Sequence, residues 1–269
     1  MNKFNFLPEG WDRNVFQLES KNIEKYINDN NIYQGIVEKC DSEYNLRINM
    51  GNQYFGIIPR EEVEGINLES NGLPKEKLCT GKVHKFVQFK IKGIDEKNNL
   101  ILSRKSVQEE AVSVAKEDLE EGKKVKGIVK SITPYGAFIE IGGGLVGLAH
   151  IEDLSVARIK TPLERLKIGQ KVNVVVKCID KDSGKVTLSY KENFGTWEEN
   201  AKKFEQGTKV KGIVRETEKH KNGIFIELLP NLVGMAEYQE GLEYGNKVDV
   251  YIKKIDYQKQ KVKLCIIKA

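Results

Sequence analysis

The chain has 269 residues, with 44 Lys and Arg against 39 Asp and Glu for a formal net charge of +5, and at 39% hydrophobic and 31% charged it has the composition of a globular protein with room for two or three small domains. No apolar run nears the roughly 20 residues that cross a bilayer, and the opening "MNKFNFLPEGWDRNVF" lacks the hydrophobic core of a secretory signal. Cys40, Cys79, Cys178 and Cys265 stand singly and the only histidines are His84, His150 and His220, which sets aside a disulfide frame, a zinc site and a catalytic metal centre.

Residues 1–29 have no counterpart elsewhere in the chain, and their structure stays open. A first repeat over 30–105 runs through "YQGIVEKCDSEYNLRINMG" (33–51), "YFGIIPREEVE" (54–64), "CTGKVHKFVQFKIKGID" (79–95) and "NLILSRK" (99–105). The segment 106–121 reads as a helical linker, with Ser106 and Glu109 as a capping box, Val107, Ala111, Val114, Ala115 and Leu119 on one face, and Gly122 as its stop. A second repeat fills 122–192, opening "GKKVKGIVKSITPYGAFIEI" and holding one helix at "TPLERLKI" (161–168), where Pro162 suits a first helical position. The linker 193–206 repeats the helical pattern, with Thr196 and Glu199 as caps, Trp197, Ala201 and Phe204 as the stripe, and Gly207 as the end. The third repeat, 207–269, opens "GTKVKGIVRETEKHKNGIFIEL", and its later pieces "NLVGMAEY", "YGNKVDVYIKKID" and "QKVKLCII" match "GLVGLAHI", "IGQKVNVVVKCID" and "GKVTLSYK" of the second.

Within each repeat, short runs alternate at period two between Gly, Asp, Asn or Pro, five to a repeat. The fold class is therefore mainly β: three tandem five-stranded OB-type barrels joined by short helical linkers. One competing motif needs an answer. Gly142, Gly144 and Gly147 have the spacing of a dinucleotide-binding loop, but that loop must lead into a helix whose amides meet the phosphate. Here it leads into another strand, so it reads as a hairpin turn and no cofactor is expected.

Alternation also predicts which side chains face outward. Ile139 and Ile141 face in, leaving Phe138 and Glu140 outside; in the third repeat Ile224, Ile226 and Leu228 face in, leaving Phe225 and Glu227 outside. Gly136 provides a bend that brings Tyr135 beside Phe138. The outward rings either cover a barrel end or offer stacking surfaces. Lys126 and Lys130 share a face of the first strand, as do Lys211 and Arg215 in the third repeat, while Lys185, Lys261 and Lys263 lie on fifth strands. Residues 121–192 carry a net +5, 206–269 a net +4, and 30–105 only +2. Basic grooves with exposed rings suit single-stranded nucleic acid, because phosphates are neutralised while bases stack.

The stretch "VKGIVKSITPYGAFIEIGGGLVGLAHIEDLSVARI" followed by "GQKVNVVVKCIDKDSGKVTLSYKE" resembles the RNA-binding repeat named after ribosomal protein S1, and the tandem arrangement is similar to the short form in Gram-positive bacteria. The resemblance implies an RNA surface of two aromatics, a histidine, an aspartate and a basic residue, which fall here on Tyr135, Phe138, His150, Asp180 and Lys185. In the third repeat Phe225, Asp256 and Lys261 match, whereas Asn222 stands at the tyrosine position and Glu237 at the histidine position, with His220 close by. The first repeat keeps only Asp95: Pro59 and Asn99 take the histidine and basic places, and Asn45, Arg47 and Asn49 face outward without a ring. The implied function is non-enzymatic binding of single-stranded RNA in translation by a cytoplasmic monomer, holding mRNA near the small ribosomal subunit. Two rivals are a metal-dependent RNA-processing enzyme, which would need clustered carboxylates, and a ribosome- or RNA-decay-associated protein scaffold.

Overall fold

The computed structural model describes residues 4–18, 23–51, 54–66, 68–218 and 223–268. Three closed five-stranded barrels follow one another along the chain. The first holds β1 (Tyr33–Cys40), β2 (Leu46–Asn49), β3 (Phe55–Ile58), β4 (Phe86–Ile94) and β5 (Leu100–Ser103). The second holds β6 (Lys124–Thr133), β7 (Gly136–Gly142), β8 (Leu145–His150), β9 (Lys171–Ile179) and β10 (Val186–Ser189). The third holds β11 (Lys209–Glu218), β12 (Gly223–Leu229), β13 (Leu232–Glu237), β14 (Lys247–Asp256) and β15 (Lys261–Lys268).

Closure depends on the long first strand serving two neighbours. In the first barrel Tyr33–Ile36 pair with β4, and beyond them Val37–Cys40 pair with β2 across a register shift between Val37 and Lys39. The third barrel repeats the device, with Lys209–Ile213 on β14 and Ile213–Glu218 on β12, and a shift between Val214 and Glu216. Such a bulge adds a residue to one strand and bends it. At the bend a side chain has no room: a Cβ on Gly35 would lie 2.7 Å from Ile48, and one on Gly212 2.3 Å from Ile226. The third and fifth strands of each barrel pair in parallel.

The inward positions fill the cores. Val37, Leu46, Ile48, Val87, Phe89, Leu100 and Leu102 are fully buried in the first barrel, and Val214, Ile224, Ile226, Leu232, Val250 and Ile252 in the third. Each such side chain contributes about 1.5–3 kcal/mol by leaving water. Leu228, expected inside, is only half-buried and packs at the core margin.

The helices are shorter or start elsewhere than the pattern predicts. α1 (Ile23–Asn28) and α2 (Glu76–Thr80) had no sequence expectation. α3 (Lys105–Asp118) buries Val107, Ala111 and Ala115 as expected, but Ser106 lies within its first turn, and Ser103 Oγ accepts from Ser106 N at 2.9 Å, so the Ser106–Glu109 box does not cap it. The segment 161–168 forms a single 3₁₀ turn at Pro162–Glu164, because the next positions turn toward β9 before a second helical turn can close. α4 (Trp197–Ala201) has the full Thr196–Glu199 capping box yet stops after five residues, with Ala201 buried in the third core and Trp197 and Phe204 packed against it.

The chain divides into two compact units, one of residues 1–128, 139–147 and 178–186, the other of 129–138, 148–177 and 187–269. In the first unit the amino-terminal stretch is built into the packing. Glu9 is 6% exposed and pairs with Arg104 at 2.7 Å, while its N–H donates to Glu140 Oε1 at 2.9 Å. Arg104 also meets Glu64 at 2.9 Å. Gly144 N–H donates to Glu140 as well, and a Cβ on Gly142, whose φ is +133°, would strike the Phe6 carbonyl oxygen at 2.5 Å. The glycine run thus forms a strand-to-strand turn under residues 6–9, not a phosphate loop.

In the second unit Glu227 is 7% exposed and accepts from Arg165 at 2.8 Å and from Arg215. Arg215 also pairs with Glu164, which accepts from the Tyr244 hydroxyl at 2.7 Å. Burial works against the Arg215 charge, yet its bonds to Glu227 and Glu164 hold its pKa above the ordinary value. Glu140 and Glu227 are therefore not solvent-facing. They point away from their own barrel cores but are covered by other segments.

Candidate nucleic-acid interface

In the second unit, Tyr135 lies in the turn between β6 and β7, half-exposed at 50%, and its ring meets Phe138 edge to face at 6.2 Å and 85°. Gly136 makes this possible, since a Cβ there would come within 2.5 Å of the Ala149 carbonyl oxygen. The Tyr135 carbonyl accepts from Ile151 N–H at 2.9 Å, which fixes the turn to the end of β8, where His150 stands. The His150 side chain is 45% exposed; its Nδ1 accepts from Glu152 N–H at 3.5 Å and lies 3.9 Å from the Glu152 carboxylate. Three predicted site residues, Tyr135, Phe138 and His150, thus gather at one place. Lys130 is exposed on β6 and has a partner of its own.

In the first unit, Asp180 closes the turn before β10. Its carboxylate accepts from the Ser183 hydroxyl at 2.6 Å and from the N–H groups of Asp182 and Ser183 at 3.0 and 3.1 Å. The Ser183 hydroxyl, with those N–H groups, holds the Asp180 pKa below the usual carboxylate range. Asp95 makes the equivalent bonds to Lys97 and Asn99 in the first barrel, and Asp256 to Lys259 in the third. The matching aspartates therefore shape turns through their own loops. Lys185 is exposed beside the Asp180 turn, and Lys126 is exposed with its ammonium 5.3 Å from the Trp11 ring.

The third barrel presents Phe225 half-buried on β12, with Lys211 exposed on β11. Arg215 does not join Lys211 on an open face: at 6% exposure it belongs to the buried ion-pair network, because the register shift at Val214 changes the outward alternation and residues 164–165 cover it. Across the barrel, Phe225 registers with Met235, Met235 with Lys263, and Lys263 with Lys254. Met235 is 48% exposed. The sequence reading did not select Met235 or Lys254, though the alternation of β13 and β14 could have found both. Lys261 is exposed and registers with Asp256. Asn222 and His220 lie outside the described residues.

The first barrel differs at the same register. Arg47 replaces the outward phenylalanine and lies 3.6 Å from the centre of the Phe55 ring. Arg47 registers with Ile57, and Ile57 with Ile101, so the row is aliphatic where the third barrel has a thioether and an ammonium.

Residues 118–191 match the S1 RNA binding domain family. The chain is 35% identical over 197 residues to small ribosomal subunit protein bS1 of Staphylococcus aureus (strain MRSA252), covering 67% of this chain and 50% of that protein. It is 33% identical over 198 residues to the bS1 protein of Neisseria meningitidis serogroup B, covering 67% of this chain and 35% of that one. The chain thus spans half or less of the length of these relatives. The solution structure of GSP13 from Bacillus subtilis matches 29% of this chain and 61% of its own, at 30% identity and a TM-score of 0.28.

Proposed function

Starting from the chain's resemblance to the ribosomal S1 proteins and from its S1 RNA binding domain at 118–191, we propose that it is a non-enzymatic binder of single-stranded RNA that acts in translation and holds mRNA near the small ribosomal subunit. The observation that carries this reading is the pair of exposed Tyr135 and half-buried Phe138 beside His150 in the repeat that matches the RNA-binding family. Bases stack on such rings whatever their sequence, each contributing about 1–3 kcal/mol. Lys130, Lys185, Lys211 and Lys261 supply exposed positive charge for phosphates.

The test is titration of the full chain with an unstructured RNA of about 10–20 nucleotides. Tyr135→Ala with Phe138→Ala weakens binding at least about tenfold, since roughly 1.4 kcal/mol corresponds to a factor of ten. Circular dichroism checks that the variant is folded. Neutralising about 3–5 phosphates gives a log-log salt slope of roughly −2 to −4, and duplex DNA binds more weakly because its bases are already stacked. Normal binding by a folded double variant removes the assignment. Cleavage of labelled RNA that needs Mg²⁺ or Mn²⁺ and stops on chelation would establish the enzymatic rival instead.

One observation favours a second role for the first repeat. Its outward row holds Arg47, Ile57 and Ile101 in place of a free ring and lysine, which suits a protein or scaffold contact better than RNA. Arg47→Ala with Ile57→Ser leaves RNA affinity within about twofold if that division of labour is right.

A further inference from the structure

The third repeat has one ring at the family position where the second has two, yet the second unit contains another aromatic pair of the same geometry. Trp197, the first residue of α4, meets Tyr257 edge to face at 5.7 Å and 85°. Tyr257 sits in the β14–β15 turn directly after Asp256 and is 46% exposed. Trp197 is half-buried against the third core, so its position is fixed by packing. The sequence placed Trp197 only in an apolar helical stripe and gave Tyr257 no role.

A row of registered residues leads along the barrel toward the strand end that carries Tyr257. From Phe225 the strand register leads through Met235 and Lys263 to Lys254 on β14, three residues before Tyr257. Neighbouring strands are about 4.8 Å apart, so the row from Phe225 to Lys254 follows roughly 14–15 Å of the closed barrel's circumference. Lys263 is exposed and the Lys254 side chain is 61% exposed, with its ammonium 3.7 Å from Asp256. A ring at each end with a thioether and two ammonium groups between them is the pattern of a single-strand groove, in which rings take bases and lysines follow the phosphates. Two rings with no charge between them would hold isolated bases and no backbone.

We propose that Tyr257, oriented by Trp197, is a second base-stacking platform of the third repeat, and that single-stranded RNA crosses this barrel from Phe225 over Lys263 and Lys254 to reach it. This rests on the RNA-binding function proposed above and extends it to a site outside the matched family segment. Trp197 acts as a positioning residue: its packing holds Tyr257 edge-on.

Intrinsic fluorescence reads the site directly. The chain has two tryptophans, so Trp11→Phe leaves Trp197 as the sole emitter in the full chain. Oligouridine of about 12 nucleotides is titrated while fluorescence anisotropy of labelled RNA reports binding and tryptophan emission reports the site. Trp197 emission changes along the binding curve, and Tyr257→Ala, at an exposed position, weakens binding at least about fivefold in a Tyr135→Ala, Phe138→Ala background. Lys254→Gln and Lys263→Gln each lower the salt slope by about 0.7. If RNA binds by anisotropy while Trp197 emission stays constant and Tyr257→Ala binds normally, this platform is wrong and the Tyr135–Phe138 site stands. If anisotropy shows no binding at all, the function proposed above fails, and this inference with it.

Discussion

Phe225 and Glu227 stand two residues apart on one side of β12, yet the ring is half-buried and available while the carboxylate is 7% exposed. Period-two alternation tells which way a side chain points from its own strand; what covers it is set by residues far along the chain. For that reason Ile139, Ile141, Ile224 and Ile226 were legible as core from sequence, whereas Glu140, Glu227 and Arg215 were misread as solvent-facing. Glu227 holds two guanidinium groups, Arg165 at 2.8 Å and Arg215. Removing one partner from a buried pair leaves uncompensated charge and costs about 3–5 kcal/mol, so Glu227→Ala lowers the urea midpoint markedly. Lys211→Gln, at an exposed position on the same strand as Arg215, stays within about 0.5 kcal/mol of the parent. Urea unfolding of the two variants checks this, and equal stability would mean that the network adds nothing to the fold. The site residues divide in the same way: Tyr135, Phe138 and His150 lie in one cluster, while Asp180 is bonded to Ser183 within its own turn.

At the scale of elements, strands were legible and helix ends were not. Strands carry their signal in alternation and in glycine at the bends. α3 begins where Ser103, the last residue of β5, receives the first-turn N–H of Ser106, and α4 ends at Ala201 with Phe204 just beyond it packed against the third core; neither contact is visible in local pattern. The short 3₁₀ turn Pro162–Glu164 gains its importance from Glu164. Burial raises the pKa of this carboxylate, but the Tyr244 hydroxyl, Lys160 N–H and Arg215 outweigh it and hold it below the ordinary 4.5. Glu64 is depressed likewise, with Arg104 and Lys82 outweighing burial. A carboxylate whose folded pKa is depressed stabilises the fold fully above its unfolded pKa and loses that contribution as pH falls through the folded value. Thermal midpoints should therefore be flat from neutrality to about pH 5 and fall below about 4.5, the ordinary value of both groups. Glu64→Gln and Glu164→Gln each start from a lower midpoint at neutral pH and show a shallower acid fall; a parent-like acid slope in both would assign the pH dependence to other carboxylates.

Over the whole molecule, the repeat and the packing unit are different things. Each compact unit joins parts of successive repeats: residues 6–9 and α3 cover the Gly142–Gly144 turn in one, and Arg165 of the second repeat grips Glu227 of the third in the other. Tandem repetition was plain in the sequence, whereas the contacts between repeats within a unit are made by residues whose individual patterns signal nothing. Within the second unit, the Tyr135–Phe138 cluster and the Phe225 face both belong to one packed body, so a long strand that engages one finds the other at raised effective concentration. That advantage depends on the two faces being held together. Arg165→Gln removes one cross-repeat ion pair while leaving Arg215 paired with Glu227 and with Glu164, so both barrels stay folded and the contact between them is weakened. Affinity for an RNA of about 6–8 nucleotides, too short to use both faces, should then match the parent within about twofold. For an RNA of about 25–30 nucleotides the parent binds at least about tenfold more tightly than the short one, and Arg165→Gln loses part of that difference, because a weakened contact lets the faces sample more separations. Titration of both proteins with both lengths measures the ratio directly. An unchanged ratio in the variant would show that the two faces bind RNA independently of the ion pair, and an equal affinity for both lengths in the parent would show that a single face carries all the binding.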